Sequence, residues 1–536
     1  MTSPGLVPVH TYHDGTKHHF HQYARSAGFL DWASQPNPFR SFNGAPVFPL
    51  YPDPAAPPIV HTQSPLTAQV VGDVLRHSLG LSAWKQFHAS RWSLRVNPSS
   101  GNLHPTEAYA VAGPIAGLCP TPAVYHYAPD RHALEQRCAF ESTAWSGAVG
   151  DPAVWLIALS SIHWREAWKY GERAFRYCQH DMGHAVATVR IAAALAGWRA
   201  VMLPEWSHGD IAALTGIDRD EDYVDAERED AGCLLLLGAP QSAIRPPQWH
   251  GRTQLLAAVR EGRWSGRASQ LSEDHVQWTF IDEIARATED PGRSIASIPP
   301  IQLCDDPIAQ LPNPLPDRAL VLRRRSAVSL DGRSSIDARS FFAILSRVMP
   351  TDGPPWDALW WEARIHLALF VQRVDQVDPG LYLLARSATA VDRLKSACGR
   401  TFLWEQVSET LPLFRLARGD CRSLARRVSC DQEIAADGFF SLGMIADFDE
   451  SLQTFGPSFY RHLFWESGVV GQVLYLEAEA AGARGTGIGC FFDDPVHDVL
   501  GLTDHRFQSL YHFTIGVPVE DTRLTTEPGY KWESAI

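Results

Sequence analysis

Residues 97–102, of sequence Asn-Pro-Ser-Ser-Gly-Asn, favour neither helix nor strand and lie directly ahead of a clear strand pattern. This segment, called the Ser-Ser loop below, is rich in hydrogen-bonding groups. Pro98 has no backbone donor, and Gly101 and Asn102 tolerate positive φ. Ser99 and Ser100 add two hydroxyl groups. Such a loop can present hydroxyl, amide and backbone N–H groups to a ligand at close range, and an ordinary surface turn is the alternative.

Histidines offer a second kind of chemistry, metal binding, in two places. One cluster lies near the N-terminus and comprises His10, His13, His18, His19 and His21. Its members share no ligand spacing with a carboxylate, so we do not expect a metal there. The other group, His180, Asp181 and His184, falls on one predicted helix and could bind metal or line a pocket. We favour an interface or pocket role, because the second copy of the repeat described next has no histidine at these positions.

An internal repeat organises the chain that must position these groups. Residues 169–201 align without a gap with residues 454–486, and the matched positions include Gly183 with Gly468. The resemblance continues in the same order to "CLLLLGAP" in the first copy and "YHFTIGVP" in the second. This ordered series predicts two copies of one domain, arranged as a covalent version of a two-fold dimer.

Each copy combines a long helix pattern with short β runs. Apolar residues from Val186 to Leu195 recur at three- and four-residue intervals, which indicates a mostly buried helix ended by Gly197. The predicted fold class is therefore α+β. We place the domains at 1–289 and 319–536, joined by a Pro-rich linker at 290–318.

The composition limits the partners. The chain has 536 residues, with 47 Lys and Arg against 60 Asp and Glu, giving a formal charge of −13. This balance argues against nucleic acid or an anionic membrane and favours a small molecule or a peptide. The 9 scattered cysteines form no C-x-x-C pair, which is typical of reduced thiols. Without a leader pattern or a long apolar run, a soluble cytoplasmic protein is expected.

The motifs that carry a family resemblance are "PSSGNLHPTEAY", "WKYGERAFRY", "RRRSAVSLDGR", "GTGIGCFFDDP" and "IGVPVEDTRL". In this order they resemble the nitroreductase superfamily, specifically its SagB-type, azoline dehydrogenase-like branch, in tandem. The resemblance implies two mixed sheets flanked by helices that form an intrachain pseudo-dimer. It also implies FMN in the groove between the copies, with hydride transfer at flavin N5.

The resemblance divides the cofactor contacts between the two copies. The phosphate would be held by Arg324, Arg325, Ser326 and Arg523, and the flavin ring by Gly487, Gly489, Pro98, Ser99, Ser100 and Asn102. In the first copy, Met202 and Pro204 stand opposite the two glycines, and only the segment around Arg40 could bind phosphate. The second copy has "MPTDGPPWDALWW" in place of the Ser-Ser loop. We therefore predict one complete site and one FMN per chain.

Lys169 and Tyr170 are the predicted catalytic residues. The second copy replaces them with Thr454 and Phe455, and in azoline-oxidising relatives a Lys-Tyr pair at this motif is associated with catalysis. Removing a hydride from an azoline ring also requires removal of a proton, so either side chain could act as a general base. The alternative is that Tyr170 packs in the core and Lys169 pairs with Glu172.

Three functions are compatible with these features. The first is an FMN-dependent oxidoreductase that oxidises azoline-like or related C–N or C–H bonds in natural-product synthesis. The second is an NAD(P)H-dependent reductase of nitro compounds or quinones, and the third is a non-catalytic flavin-binding or scaffolding protein. NAD(P)H or O2 would be the redox partner, and further oligomerisation is left open.

Overall fold

The computed structural model describes residues 4–51, 66–239, 251–294, 315–399 and 401–535. The strands of the first half are β1 (Phe42–Asn43), β2 (Val47–Pro49), β3 (Leu81–Phe87), β4 (Ser90–Arg95), β5 (Thr106–Ala112), β6 (Ala123–Ala128), β7 (Ala133–Ala139), β8 (Val154–Ser161), β9 (Arg199–Met202), β10 (Asp230–Gly238), β11 (Arg263–Trp264) and β12 (Arg267–Ala268). Those of the second half are β13 (Ile365–Val371), β14 (Gly380–Leu384), β15 (Glu405–Gln406), β16 (Leu413–Arg418), β17 (Phe440–Asp447), β18 (Arg484–Ile488), β19 (Phe507–Gly516) and β20 (Thr525–Pro528).

Helices cover the sheets of both halves. The helices of the first half are α1 (Val7–Gly15), α2 (Ala68–Ser78), α3 (Ser142–Ala148), α4 (His163–Tyr170), α5 (Ala174–Leu195), α6 (His208–Thr215), α7 (Arg252–Arg260) and α8 (Thr279–Ala287). Those of the second half are α9 (Arg318–Arg323), α10 (Ala338–Arg347), α11 (Val391–Ala397), α12 (Arg422–Val428), α13 (Ile434–Asp437), α14 (Phe448–Phe455), α15 (Phe459–Ala480) and α16 (Asp493–Leu500). Within the described ranges, none combines the length and the apolar character needed to cross a bilayer.

The two main sheets have the same strand order. In the first half it is β7-β6-β5-β8-β10-β9, and in the second it is β16-β14-β13-β17-β19-β18. The repeat block has the same layout in both halves, since α5 and α15 are both 22 residues long and begin and end at aligned positions. These observations confirm the α+β class and the tandem pseudo-dimer predicted from the sequence.

The sheets differ from the prediction in one respect, because the paired strands are antiparallel throughout the described residues rather than mixed. The crossover through α4 and α5 does join two parallel strands, β8 and β9. However, β10 lies between them and pairs antiparallel with both. The two parallel strands of the crossover are therefore not direct neighbours, and the strand between them pairs antiparallel with each. In the second half β19 occupies the same place between β17 and β18.

The two long helices cross at matched glycines. A Cβ on Gly183 would lie 2.0 Å from the carbonyl oxygen of Trp465, and one on Gly468 would lie 2.2 Å from that of His180. The backbones of α5 and α15 therefore approach each other too closely for any side chain at either position. This crossing explains why both copies keep a glycine here, and it fixes the groove between the halves.

Terminal segments exchange between the halves. From the first half, α1 reaches the second, where His13 Nε2 lies 3.0 Å from Gln508 Oε1. From the C-terminal end, β20 pairs with β3, with Thr526 opposite Lys85. The domain bounds 1–289 and 319–536 stay predictions, and residues 295–314 of the predicted linker lie outside the described residues.

Candidate functional site

A cleft of about 740 Å³ lies where the two halves meet. The residues predicted to contact a cofactor that line it are Pro98, Ser99, Ser100, Asn102, Arg324, Arg325, Ser326, Gly487, Gly489 and Arg523. Tyr170 also lines the cleft. Lys169 is exposed beside it, with Nζ 5.2 Å from the centre of the Tyr170 ring. The structure thus brings segments from both ends of the chain to one cavity.

The Ser-Ser loop owes its shape to left-handed backbone at Gly101 (φ 60°) and Asn102 (φ 61°). The Asn102 side chain ties the loop to the protein on both sides. Its amide donates to the carbonyl of Ser93 at 2.9 Å, and its oxygen lies 3.0 Å from His104 Nε2. The loop is therefore a fixed wall of the cleft rather than a surface turn.

Two buried carboxylates support the loop from below. The backbone N–H of Ser100 donates to Asp181 at 3.1 Å, and the Ser99 hydroxyl donates to Glu166 at 3.4 Å. Burial raises the pKa of Asp181 to about 7, although the hydrogen bonds from Ser99 and Ser100 act in the opposite direction. Burial and the nearby Asp181 raise the pKa of Glu166 well above its ordinary value. Protonation of these carboxyls would therefore change the hydrogen bonds that support the loop.

Replacement of Asp181 by asparagine is expected to change how stability depends on pH. A carboxyl whose folded pKa is raised favours folding most below its unfolded pKa, about pH 4, and loses that contribution as pH rises to about 7. Asparagine mimics the protonated form at every pH. The thermal midpoint of the variant, measured relative to that of the wild type, should therefore rise as the pH increases from about 4 to 7. A constant difference across this range would contradict the raised pKa.

Glycines form the opposite wall, along β18. A Cβ on Gly487 would lie 1.8 Å from the hydroxyl oxygen of Tyr511, and one on Gly489 would lie 2.2 Å from Cε1 of Tyr177. The backbone N–H of Gly487 donates to the Tyr475 hydroxyl at 2.9 Å. Neither position has room for a side chain larger than that of glycine, because the tyrosines occupy the space.

Arg324 supplies a buried cation at one end of the cleft. Its side chain is 3% exposed and donates one hydrogen bond, from Nη2 to the carbonyl of Arg95 at 3.3 Å. Its guanidinium carbon lies 4.9 Å from the centre of the Tyr475 ring. Its Nε and Nη1 atoms have no hydrogen-bond partner among the described residues, and burial lowers the pKa of the Arg324 guanidinium. A buried cation with unsatisfied donors indicates a site for an anion.

The other predicted phosphate contacts differ from one another. Arg325 donates to the carbonyls of Leu322 and Ser82 at 2.8 and 2.9 Å, and burial together with Arg324 lowers its pKa to about 10. The Ser326 hydroxyl donates to Tyr475 at 3.0 Å. Arg523 lies exposed at the rim, where Nε and Nη2 bind Asp521 at 2.9 and 2.8 Å. Its guanidinium is thus paired with a neighbouring carboxylate, which the sequence did not indicate.

Two further cations at this end were missed from the sequence. Arg484 lines the cleft with Nη1 2.6 Å from Glu520, and the Lys85 ammonium donates to Thr526 at 2.7 Å. Arg484 directly precedes the glycine motif and matches Arg199 in the repeat, so a signal for it existed. Lys85 had none, because only the pairing of β20 with β3 brings it here.

The mirror region consists of the positions that the repeat aligns with this cleft, and side chains pair with each other there among the described residues. Arg190, which aligns with Tyr475, binds Asp357 through two hydrogen bonds of 2.9 and 2.7 Å. Asp357 belongs to the segment that replaces the Ser-Ser loop. The Trp361 ring packs against His462, the residue that aligns with Tyr177, with ring centres 4.9 Å apart.

The mirror region also lacks a cation that could hold phosphate at the position suggested by the sequence. The Arg40 guanidinium is completely buried and lies 3.8 Å from the carboxylates of both Glu227 and Glu229. It is therefore neutralised inside the first half. This arrangement is consistent with one complete site per chain.

Tyr170 packs against the Ser-Ser loop. Its ring centre lies 4.5 Å from that of Tyr177, and its hydroxyl would contact a Cβ placed on Gly101 at 2.6 Å. Burial and then Glu166 raise the Tyr170 pKa well above its ordinary value. The phenol is therefore protonated at neutral pH and suited to donate a hydrogen bond, rather than to act as the base that we considered.

Three further titratable groups lie near this site: Glu172, His180 and His184. Glu172 pairs with Arg25 at 3.3 Å, instead of with Lys169. His180 stacks on Tyr511 with ring centres 4.1 Å apart, and His184 lines the cleft. Across the residues that the structure describes, no group of three or more His, Cys, Asp or Glu side chains is placed to hold a metal ion.

Comparisons with known proteins agree with this architecture. No protein-family model matches the chain. A protein of Methanocaldococcus jannaschii with a provisional nitroreductase name is 25% identical over 164 residues, which span 29% of this chain and 78% of the relative.

Among solved structures, a crystal structure from Anabaena variabilis, also provisionally named a nitroreductase, matches with a TM-score of 0.68 and 21% identity, covering 96% of this chain and 99% of the other. The Escherichia coli microcin synthetase McbBCD complex matches with a TM-score of 0.28 and 16% identity, covering 37% of this chain and 70% of the other. The second score is too low to support an inference. The first shows that the fold of the whole chain, with both halves, occurs in another protein.

Proposed function

We propose that this chain, which has the nitroreductase fold, is an FMN-dependent oxidoreductase of the SagB-type dehydrogenase group. Its substrate would be an azoline ring or a related C–N or C–H bond in a small molecule or peptide. The proposal also assigns one complete flavin site to each chain, because the cleft is built from different parts of the two halves and Arg190 in the mirror region is already paired with Asp357.

The Arg324 guanidinium, whose Nε and Nη1 have no hydrogen-bond partner among the described residues, carries this proposal. Burying a cation without a counter-charge is unfavourable, and a ligand phosphate would supply both the charge and the missing acceptors. Arg325, Ser326, Arg484 and Lys85 line the same end of the cleft. This donor set fits a phosphate monoester better than it fits a neutral ligand.

The walls of the cleft fit a flat ring. Gly487 and Gly489 leave one wall to the flat rings of Tyr511 and Tyr177, and the Ser-Ser loop with Asn102 and His104 offers polar groups on another. When bound, FMN would supply a two-electron carrier that exchanges hydride at N5. The described residues would hold and orient this group, as the family resemblance implies.

Tyr170 and Lys169 are the proposed catalytic residues. Oxidation of an azoline removes a hydride and a proton, so a proton acceptor is needed at the substrate. Tyr170, protonated in its buried position, would donate a hydrogen bond to a ring heteroatom and orient the substrate. Lys169, exposed beside that ring, would accept the proton in its free-amine form.

Counting flavin and testing electron donors would examine the proposal. The purified protein is expected to show a flavin visible spectrum with one FMN per chain, and a peptide azoline should bleach it faster than NADPH does. The Tyr170→Phe variant should retain flavin, but its rate of azoline oxidation should fall by about 100-fold or more. Two FMN per chain would contradict the complementary halves. Bleaching by NADPH alone would favour a nitro or quinone reductase, and no bleaching by any donor would favour a binding protein.

A further inference from the structure

Two cysteines meet at the wall of the cleft. The Sγ atoms of Cys430 and Cys490 lie 3.0 Å apart. Cys430 follows α12, and Cys490 follows the glycine strand β18 and lines the cleft. Both are partly exposed, whereas the other cysteines among the described residues are buried. A pair of accessible thiols in contact is therefore specific to this place in the described structure.

The backbone holds the two thiols together. Cys430 and Asp431 both adopt left-handed conformations, with φ of 55° and 56°, which non-glycine residues adopt only where the surroundings enforce it. The Gln432 amide donates to the carbonyls of Cys490 and Ser429, each at 2.9 Å, and so ties the two loops together. A disulfide has an S–S distance of about 2.05 Å, so closure requires a shift of only about 1 Å.

The surroundings make the two thiols unequal. The two thiols share a hydrogen bond, and His18 and the Arg173 guanidinium face Cys490 as well, so the pKa of the Cys490 thiol is lowered. Arg173 is held close, since Nη2 donates to the carbonyl of Gly489 at 3.3 Å. The hydrogen bond with Cys490, and then burial, raise the pKa of Cys430. Because Arg173 is held beside Cys490 and favours its thiolate, we expect Cys490 to be the nucleophile of the pair and Cys430 to be the resolving thiol.

We propose that Cys430 and Cys490 form a two-electron dithiol–disulfide couple in the wall of the cleft, which exchanges with low-molecular-weight disulfides. The Cys490 thiolate attacks one sulfur of the disulfide, forms a mixed disulfide and releases the first thiol. The Cys430 thiol then loses its proton and attacks Cys490 Sγ, which forms the protein disulfide and releases the second thiol. Overall, two protein thiols are oxidised and one disulfide is reduced to two thiols. This couple goes beyond the proposed flavin chemistry and does not depend on it.

Equilibration with glutathione tests this proposal on the full chain, with and without added FMN. The protein is incubated at a series of reduced-to-oxidised glutathione ratios, quenched in acid, alkylated and mapped by mass spectrometry. We expect a Cys430–Cys490 cross-linked peptide that appears and disappears as one two-electron transition. Cys430→Ser should accumulate glutathione on Cys490, because no resolving thiol remains. Cys490→Ser should leave Cys430 largely unmodified.

Cys421→Ser is the matched control, since Cys421 is buried at the start of α12, and it should behave as wild type. Mapping of the wild-type protein keeps the test valid if a variant fails to fold. Reduced Cys430 and Cys490 in fully oxidised glutathione would overturn the proposal. So would equal modification of the two cysteines in the single variants. Loss of the flavin spectrum with an intact cross-link would refute the proposed function and leave this couple in place.

Discussion

Replacing Arg324 with alanine is expected to weaken FMN binding by about 10- to 100-fold, as measured by fluorescence titration of the flavin-free protein. Hydrogen bonds to a charged group contribute about 1.5–3 kcal/mol, and about 1.4 kcal/mol corresponds to a factor of ten in Kd. Arg324 is buried and its Nε and Nη1 have no partner among the described residues, so its donors are available to a ligand. Arg325 already serves backbone carbonyls, which limits how far it can compensate.

Arg323 provides the matched control for this experiment. It is the preceding residue, its side chain is 61% exposed, and it pairs with Glu479 at 3.1 Å. Arg323→Ala should bind FMN as the wild type does. Arg324→Ala also removes a buried unpaired charge, so the flavin-free variant should be at least as stable as wild type, which separates loss of ligand from unfolding. Equal affinities for both variants would refute the assignment of Arg324 to phosphate.

The sequence was sufficient to predict the organisation of the fold because the duplication leaves a gapless register. Helices α5 and α15 occupy aligned positions, and the paired glycines Gly183 and Gly468 lie at their crossing. The local sequence pattern could not show that β10 lies between β8 and β9, because strand order depends on pairing between distant segments. The antiparallel character of the sheets was therefore missed.

The candidate site was predictable where a motif carries its own geometry. The Ser-Ser loop, Gly487, Gly489 and Arg324 all line the cleft, and the family resemblance of their motifs had assigned them to one site. Arg523 also lines the cleft, but its ion pair with Asp521 depends on a local side-chain arrangement that the motif does not specify. The pairing of Cys430 with Cys490 depends on tertiary contact between distant segments, and sequence spacing gave no indication of it.

Asp493→Asn is expected to lower stability more than any other single substitution considered for this chain. The carboxylate is completely buried and accepts hydrogen bonds from Arg173 at 2.9 Å, from Arg176 at 2.8 Å and from the backbone N–H of His18 at 2.8 Å. It therefore joins α16 of the second half to α5 of the first. Removing one member of a buried ion pair costs about 3–5 kcal/mol, because the remaining charges are left uncompensated.

The dependence of stability on pH provides a second test of the role of Asp493. Burial alone would raise the pKa of Asp493, but Arg173 and Arg176 outweigh it and hold the pKa far below the ordinary value. A carboxylate with a depressed folded pKa contributes stability above its unfolded pKa, about pH 4, and loses it as pH falls further. The urea midpoint of the wild type should therefore fall steeply below about pH 4, while that of Asp493→Asn, already low at pH 7, should change less.

Asp494→Asn separates the buried network from the general loss of one acidic charge. Asp494 is the next residue, is partly exposed and pairs with Lys17 at 3.1 Å. Exposed ion pairs contribute about 0–1 kcal/mol, so this control should lower the urea midpoint only slightly at pH 7. If the two variants lose stability equally, the contact between α16 and α5 does not depend on the Asp493 carboxylate. If only Asp493→Asn is destabilised, the cleft is held in shape by a charge network that crosses from one half of the chain to the other.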